Sequence, residues 1–262
     1  MDEPATICFT GTAGAGKTTL VDAFRTWMKT AGYDAITVNL DPGMETATSA
    51  PDVDIREWVR LADVMDEYHL GPNGAQVAAA DLVALKVFEV KEAIQELKSD
   101  YVLVDTPGQV ELFAFRESSK AIVDALGGDR TMIAFLFDPA LARSASGFIS
   151  LLMLSATVEF RFRLPTLNLL TKSDILAPEQ LQPVLDWGDD PNRLLDAVTM
   201  ELPTPDVQLS TEMLRAIETL APLSTLIATS ARDGTGMEDL YRAAQRNFGG
   251  GEDLEPSHAP SE

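Results

Sequence analysis

Apolar and polar positions follow two rhythms along the chain. Short, nearly continuous apolar runs fall at residues 5–10, 35–40, 101–105, 131–137, 166–170 and 225–229, and predict buried strands. Between them the apolar positions recur at helical spacing. In 17–30 they are Leu20, Phe24, Trp27 and Met28, and Gly32 marks the stop. A longer helical stretch, about 55–98, is interrupted at Gly71-Pro72-Asn73-Gly74. Residues 147–162 and 237–247 read as helices, and about 178–219 as helical but irregular. Buried strands separated by helices imply a parallel sheet covered on both faces. The expectation is an α/β three-layer sandwich with a mainly parallel central sheet, one domain over 1–248, helical insertions at about 55–98 and 178–219, and a disordered acidic tail over 249–262.

The segment 148–154 is too apolar for an exposed helix. It reads as core, or as an interface uncovered in one state, and the apolar stretch 148–160 is expected to be too short to span a bilayer. Charge narrows the function. Forty-one acidic against 20 basic residues give a net charge of −21. Such a surface repels nucleic acid and anionic membranes, so neither is an expected partner. High net charge spread along the chain also predicts a salty cytoplasm, the other reading being a merely acidic mesophile protein. With one cysteine, Cys8, and two histidines, neither an internal disulfide nor a Cys/His metal centre is expected. No secretory signal is expected behind Met1-Asp2-Glu3, and the location expected is cytoplasmic.

Gly11-Thr12-Ala13-Gly14-Ala15-Gly16-Lys17-Thr18 matches the phosphate-cradling pattern G-x-x-x-x-G-K-[ST], between a strand and a helix as the pattern requires. Its inward N–H groups, those of Gly11, Gly14, Ala15, Gly16 and Thr19 among the candidates, and the positive helix end suit phosphate. Lys17 suits the β- and γ-phosphates, and the Thr18 hydroxyl suits Mg²⁺.

Asp105-Thr106-Pro107-Gly108-Gln109 follows the third apolar run. Asp105 is a candidate Mg²⁺ carboxylate, and the Gly108 N–H a candidate γ-phosphate contact. Asp41, in Asn39-Leu40-Asp41-Pro42-Gly43, is either a second carboxylate that orients water or holds Mg²⁺ through its shell, or a turn residue. Thr171-Lys172-Ser173-Asp174 is similar to the guanine-selecting N-K-x-D motif, with Thr in place of Asn. Asp174 could accept from guanine N1–H and N2–H, or cap a helix. Lys172 would lie along the base. Ser230-Ala231 sits where a loop N–H meets guanine O6. Asn commonly braces neighbouring loops in this motif, so Thr171 is expected to weaken affinity.

These motifs, with Gly71-Pro72-Asn73 between the Asp41 and Asp105 segments, resemble the GPN-loop GTPases over about residues 5–248. The resemblance implies GTP and GDP as ligands, Mg²⁺, and a homodimer in which each Gly-Pro-Asn loop reaches a nucleotide site. It implies that Asn73 contacts the γ-phosphate region or the water, that Gln109 and Asp41 position the water, and that Glu111 braces the loop. Gly71 and Gly74 would permit a tight turn. The implied role is a GTP-hydrolysing switch, an assembly factor for RNA polymerase or another large complex, here in an archaeal, halophilic setting. The alternatives are a P-loop ATPase or a kinase acting on a small acceptor.

Overall fold

The computed structural model describes residues 4–44, 49–114, 116–201, 204–220 and 225–249 of the 262. Among the described residues seven strands run β1 (Ala5–Gly11), β2 (Ala35–Asn39), β3 (Val53–Asp54), β4 (Tyr101–Asp105), β5 (Thr131–Phe137), β6 (Thr166–Leu170) and β7 (Ile227–Ala228). They form one sheet in the order β3-β2-β4-β1-β5-β6-β7, and every pairing is parallel. All carboxyl ends therefore share one edge, with β1 at its centre. In open parallel sheets that edge is where ligands bind.

The helices are α1 (Lys17–Thr30), α2 (Leu61–Tyr68), α3 (Pro72–Leu85), α4 (Val87–Leu97), α5 (Val110–Ala114), α6 (Glu117–Gly127), α7 (Pro139–Ala142), α8 (Ala145–Phe162), α9 (Pro178–Asp189), α10 (Pro191–Glu201), α11 (Thr204–Leu220) and α12 (Met237–Gly249). Side chains on a strand alternate between faces, and that alternation divides the core in two. Ile7, Phe9, Met132, Ala134 and Leu136 pack with Leu20, Phe24 and Met28 of α1 and with Leu240 and Ala244 of α12. Cys8, Ile133, Phe135 and Phe137 face the other layer, built from α3, α4, α6 and α8–α11. Each fully buried large apolar side chain contributes roughly 1.5–3 kcal/mol, so both layers are needed to hold the sheet edge still.

Phe148, Ile149, Leu151 and Leu152 of α8 are buried, as core. The expectation that this stretch is too short to cross a membrane is corrected, because α8 runs 18 residues and its length and composition would suffice. Its contacts with the sheet and with α10 and α11 account for the apolar face instead. The described residues of the 178–219 region are regular rather than irregular. They form α9–α11, anchored by Val184, Leu194, Val198, Leu214 and Ile217.

The Gly-Pro-Asn segment also departs from expectation. It is the start of α3, with Gly71 as N-cap at φ −70° and Pro72 in the first turn. Proline suits that place because its missing N–H has no intrahelical acceptor there. Gly74 lies within α3, so neither glycine supplies a left-handed turn. The break before it is His69, left-handed at φ 54°. The expected tail lies almost wholly outside the described residues, apart from Gly249, which ends α12. The Glu111 side chain also lies outside them.

Candidate nucleotide site at the carboxyl edge of the sheet

The loop between β1 and α1 wraps as the glycine spacing requires. Gly14 and Gly16 have φ of 76° and 92°, and a Cβ on Gly11 would come 2.8 Å from the Leu136 carbonyl oxygen of β5. Side chains are strained or excluded at these positions. Lys17, 6% exposed, donates to the carbonyls of Gly11, Thr12 and Gly108, each at 3.0 Å. Burial lowers its pKa, against the attraction of Asp105 and Asp41. Thr19 is exposed on α1.

Asp105 ends β4 and is 4% exposed. The Thr18 hydroxyl donates to its Oδ2 at 2.5 Å, while its buried Oδ1 has no partner. Burial pushes the carboxyl up to about 6, against the Thr18 hydrogen bond and the nearby Lys17 charge. Among the described residues no cluster of three metal-ligating side chains exists. The donors present still fit Mg²⁺, which takes hard oxygens and is commonly held by one or two carboxylates plus phosphates and water. An orphaned carboxylate oxygen beside a hydroxyl is such a half-site.

Asp41 lies just beyond β2. Its Oδ1 accepts from the Gly43 N–H at 2.8 Å and its Oδ2 from the Gly108 N–H at 3.2 Å. Turn residue and candidate catalytic carboxylate thus coincide. The Gly108 N–H, expected to face phosphate, is held by Asp41 here. Asn39, at the end of β2, locks the segment. Its amide donates to the Asp41 carbonyl and to Asp54 Oδ1, and Arg56 then bridges Asp54 to the Met44 carbonyl. Sequence reading missed this chain of contacts, which depends on the two-residue edge strand β3.

A cavity of about 200 Å³ opens beside the loop, lined by Asp41, Gly43, Gln76, Ala80, Gly108 and Gln109 among others. Gln109 is exposed at its rim. Asn73 is exposed and is not part of the lining. Gln76, one turn further along α3, is.

The base-selecting candidates gather after β6 and β7. Ser230 Oγ donates to Asp174 Oδ1 at 2.9 Å, and Arg232 stands 3.9 Å from Oδ2. Asp174 is exposed as a residue, yet its side chain is only 16% exposed. Ala231 follows in the turn. Lys172, left-handed at φ 51°, crosses the loop to donate to the Gly14 carbonyl at 2.6 Å and to Asp138 at 2.8 Å. Asp138 was not singled out from sequence, although Asp-Pro after an apolar run signals a helix cap, which it is for α7. Thr171 is itself a brace between neighbouring segments. Its buried hydroxyl lies 2.8 Å from the Ala15 carbonyl and 3.2 Å from that of Phe137, tying β6 to the phosphate loop and to β5.

A family described as "Conserved hypothetical ATP binding protein" matches residues 9–250. GPN-loop GTPase PAB0955 of Pyrococcus abyssi is 29% identical over 92% of this chain and 96% of its own length. Its solved structure, described as a GTPase in apo form, superposes with a TM-score of 0.84 at 28% identity, covering 93% of this chain and 97% of that one. GPN-loop GTPase 3 of Dictyostelium discoideum is 30% identical over 96% of this chain and 90% of its own. GPN-loop GTPase 1 of the same organism is longer, and the chain spans 60% of it at 28% identity. The seven-stranded parallel sheet with its phosphate loop is the P-loop fold, and the chain belongs to the GPN-loop GTPase family.

Proposed function

We propose that this chain binds guanine nucleotide with Mg²⁺, hydrolyses GTP to GDP and phosphate, and works as a homodimeric switch in the cytoplasm. The observation that carries the reading is the pairing of Thr18 with the buried, half-unpartnered carboxylate of Asp105 directly beside Lys17. Thr18 and Asp105, with phosphate oxygens and water, would hold Mg²⁺, which neutralises charge on the β- and γ-oxygens. Lys17 leaves its three carbonyl acceptors for the phosphates. Asp41 releases the Gly108 N–H to the γ-phosphate and accepts a hydrogen bond from the attacking water. Gln109 closes the rim. Little covalent work falls to the protein, so positioning and charge stabilisation carry the rate.

Asp174 favours guanine over adenine. With Ser230 turned away, its two oxygens can accept the N1–H and N2–H pair that adenine lacks. Lys172 is already laid across the loop where it would flank the base, and Ala231 offers the next backbone N–H. The family description names ATP; the Asp174–Ser230 arrangement speaks for GTP. It also speaks against the ATPase alternative, as the packing of α9–α11 into the core speaks against a phosphate lid for a kinase.

The homodimer is supported by the start of α3. Asn73 is exposed and lies outside the lining of its own cavity, and exposed apolar side chains follow along α3 and α4 in a row of Val77, Leu85 and Phe88, with Leu85 72% and Phe88 70% exposed. A second copy that covers this row would carry Asn73 to a neighbouring site. A role in assembling RNA polymerase or another large complex, in an archaeal and halophilic cell, is proposed from the family resemblance and the acidic surface. Calorimetric titration of GDP and ADP with and without Mg²⁺ tests the binding reading. Tighter GDP binding with Mg²⁺ supports it, and equal or tighter ADP binding overturns it. Asn73→Ala should slow hydrolysis while leaving GDP affinity intact, and an unchanged rate would remove Asn73 from the mechanism.

A further inference from the structure

The cavity beside Asp41 contains a polar group that none of the sequence motifs accounts for. Gln76 lines it, together with Asp41, Gly108 and Gln109, and Ala13 of the phosphate loop lies on the same wall. The space is thus bounded by the loop that cradles phosphate on one side and by the Gly108 turn on another. That is where the outer face of a terminal phosphate and the incoming water must lie.

Gln76 is not loosely attached. Its neighbour Ala75 and the next turn, Ala79 and Ala80, are buried at 0%, 0% and 8% exposure, so the helix face on either side is fixed in the core. Ala80, four residues on, lines the same cavity and leaves it room. Gln109, which also lines the cavity, is exposed, and Asn73 lies outside. Asn73 lies on the same helix but outside the cavity lining, so Gln76 is the carboxamide that α3 brings to this space.

We infer that Gln76 is a water-positioning residue acting within its own chain, and this rests on the GTP-hydrolysis reading. A neutral carboxamide both accepts and donates. Its Oε1 can take one hydrogen of the water while Asp41 takes the other, which leaves an oxygen lone pair aimed at the γ-phosphorus. The water oxygen then bonds to phosphorus. The bond from phosphorus to the β,γ-bridging oxygen breaks, and its electron pair stays on GDP. The water's proton leaves with phosphate or to solvent, and Gln76 ends unchanged. A side chain that loses this alignment costs on the order of tenfold to a hundredfold in rate without altering ground-state binding.

The test is single-turnover hydrolysis of GTP by the full chain, alongside equilibrium binding of a fluorescent GDP analogue. Gln76→Ala should lower the hydrolysis rate about tenfold or more and leave affinity within about twofold. Gln76→Met keeps the length and the packing of α3 but not the amide, so it should fall as far. Gln76→Asn should recover part of the rate if the shorter amide still reaches the water, a recovery that packing alone would not produce. Wild-type rates in both Ala and Met variants overturn the assignment of Gln76 and leave the GTPase reading standing. A wild-type protein that binds GDP yet does not turn over GTP overturns the hydrolysis reading itself, and Gln76 with it.

Discussion

The phosphate end and the base end of the site are built by opposite means. At the phosphate end, Lys17 and Asp105 are buried, and their partners are backbone carbonyls at the end of β1 and in the turns after β1 and β4, and the Thr18 hydroxyl in the first turn of α1. At the base end, Asp174 is held by the Ser230 side chain, Lys172 is shared between the Asp138 side chain and the Gly14 carbonyl, and the nearby Arg232 is 85% exposed. Groups fixed by sheet edges cannot move far and carry strong fields in a low dielectric. Groups held by neighbouring side chains can exchange those partners for a ligand. Under the proposed function, chemistry falls to the first end and selection to the second.

The largest effect should come from the phosphate end. Lys17→Ala removes the only positive side chain on the phosphate loop and should lower GTP turnover by about 100- to 1,000-fold, read as phosphate release. A loss of a few-fold would place the charge stabilisation elsewhere. Asp174→Asn is next. It replaces one acceptor oxygen by a donor and should reduce the preference for GDP over ADP by about 10- to 100-fold in competition binding, the size expected for hydrogen bonds to a charged group. An unchanged preference would break the division into two ends.

Acid should separate the ends further. Burial holds the Asp105 carboxyl protonated up to about 6, above its ordinary 3.8. Its neutral form therefore favours the empty fold at low pH, fully so below about 4, and this advantage is lost as pH rises through about 6. A cation needs the ionised form, so the sign reverses for binding. Mg²⁺ affinity for the nucleotide-loaded protein should fall about tenfold per pH unit below 6. Base preference should not follow that curve. The smallest effect belongs to Arg232→Ala. An exposed partner at 3.9 Å contributes little, so GDP affinity should stay within about twofold.

The two ends also differed in how far sequence could describe them. Lys17, Thr18 and Asp105 were legible because spacing and strand ends alone place them, and α1, β5 and β6 fell on the expected residues. Thr171 was legible as a position but not as a function. Its hydroxyl reaches Ala15, 156 positions away, and a linear pattern does not reveal that partner. β3 was invisible because two residues carry no period, and α5 and α7 are barely a turn long. The Gly-Pro-Asn segment was found correctly but shaped wrongly. Its glycines suggested a turn, whereas Pro72 in a first helical turn gave the better local signal. Gln76 had no sequence signal at all, since it depends on which face of α3 meets the Gly108 turn.

The most direct measurement is phosphate release from GTP and from ATP by the purified chain at high salt, each with Mg²⁺ and with a chelator. The expected result is turnover of GTP that requires Mg²⁺ and exceeds that of ATP by tenfold or more, about the size of a selection set by one bidentate carboxylate. Equal turnover of both nucleotides, or turnover indifferent to the chelator, would contradict the assignment of Asp174 to guanine in the first case and of Thr18 and Asp105 to Mg²⁺ in the second.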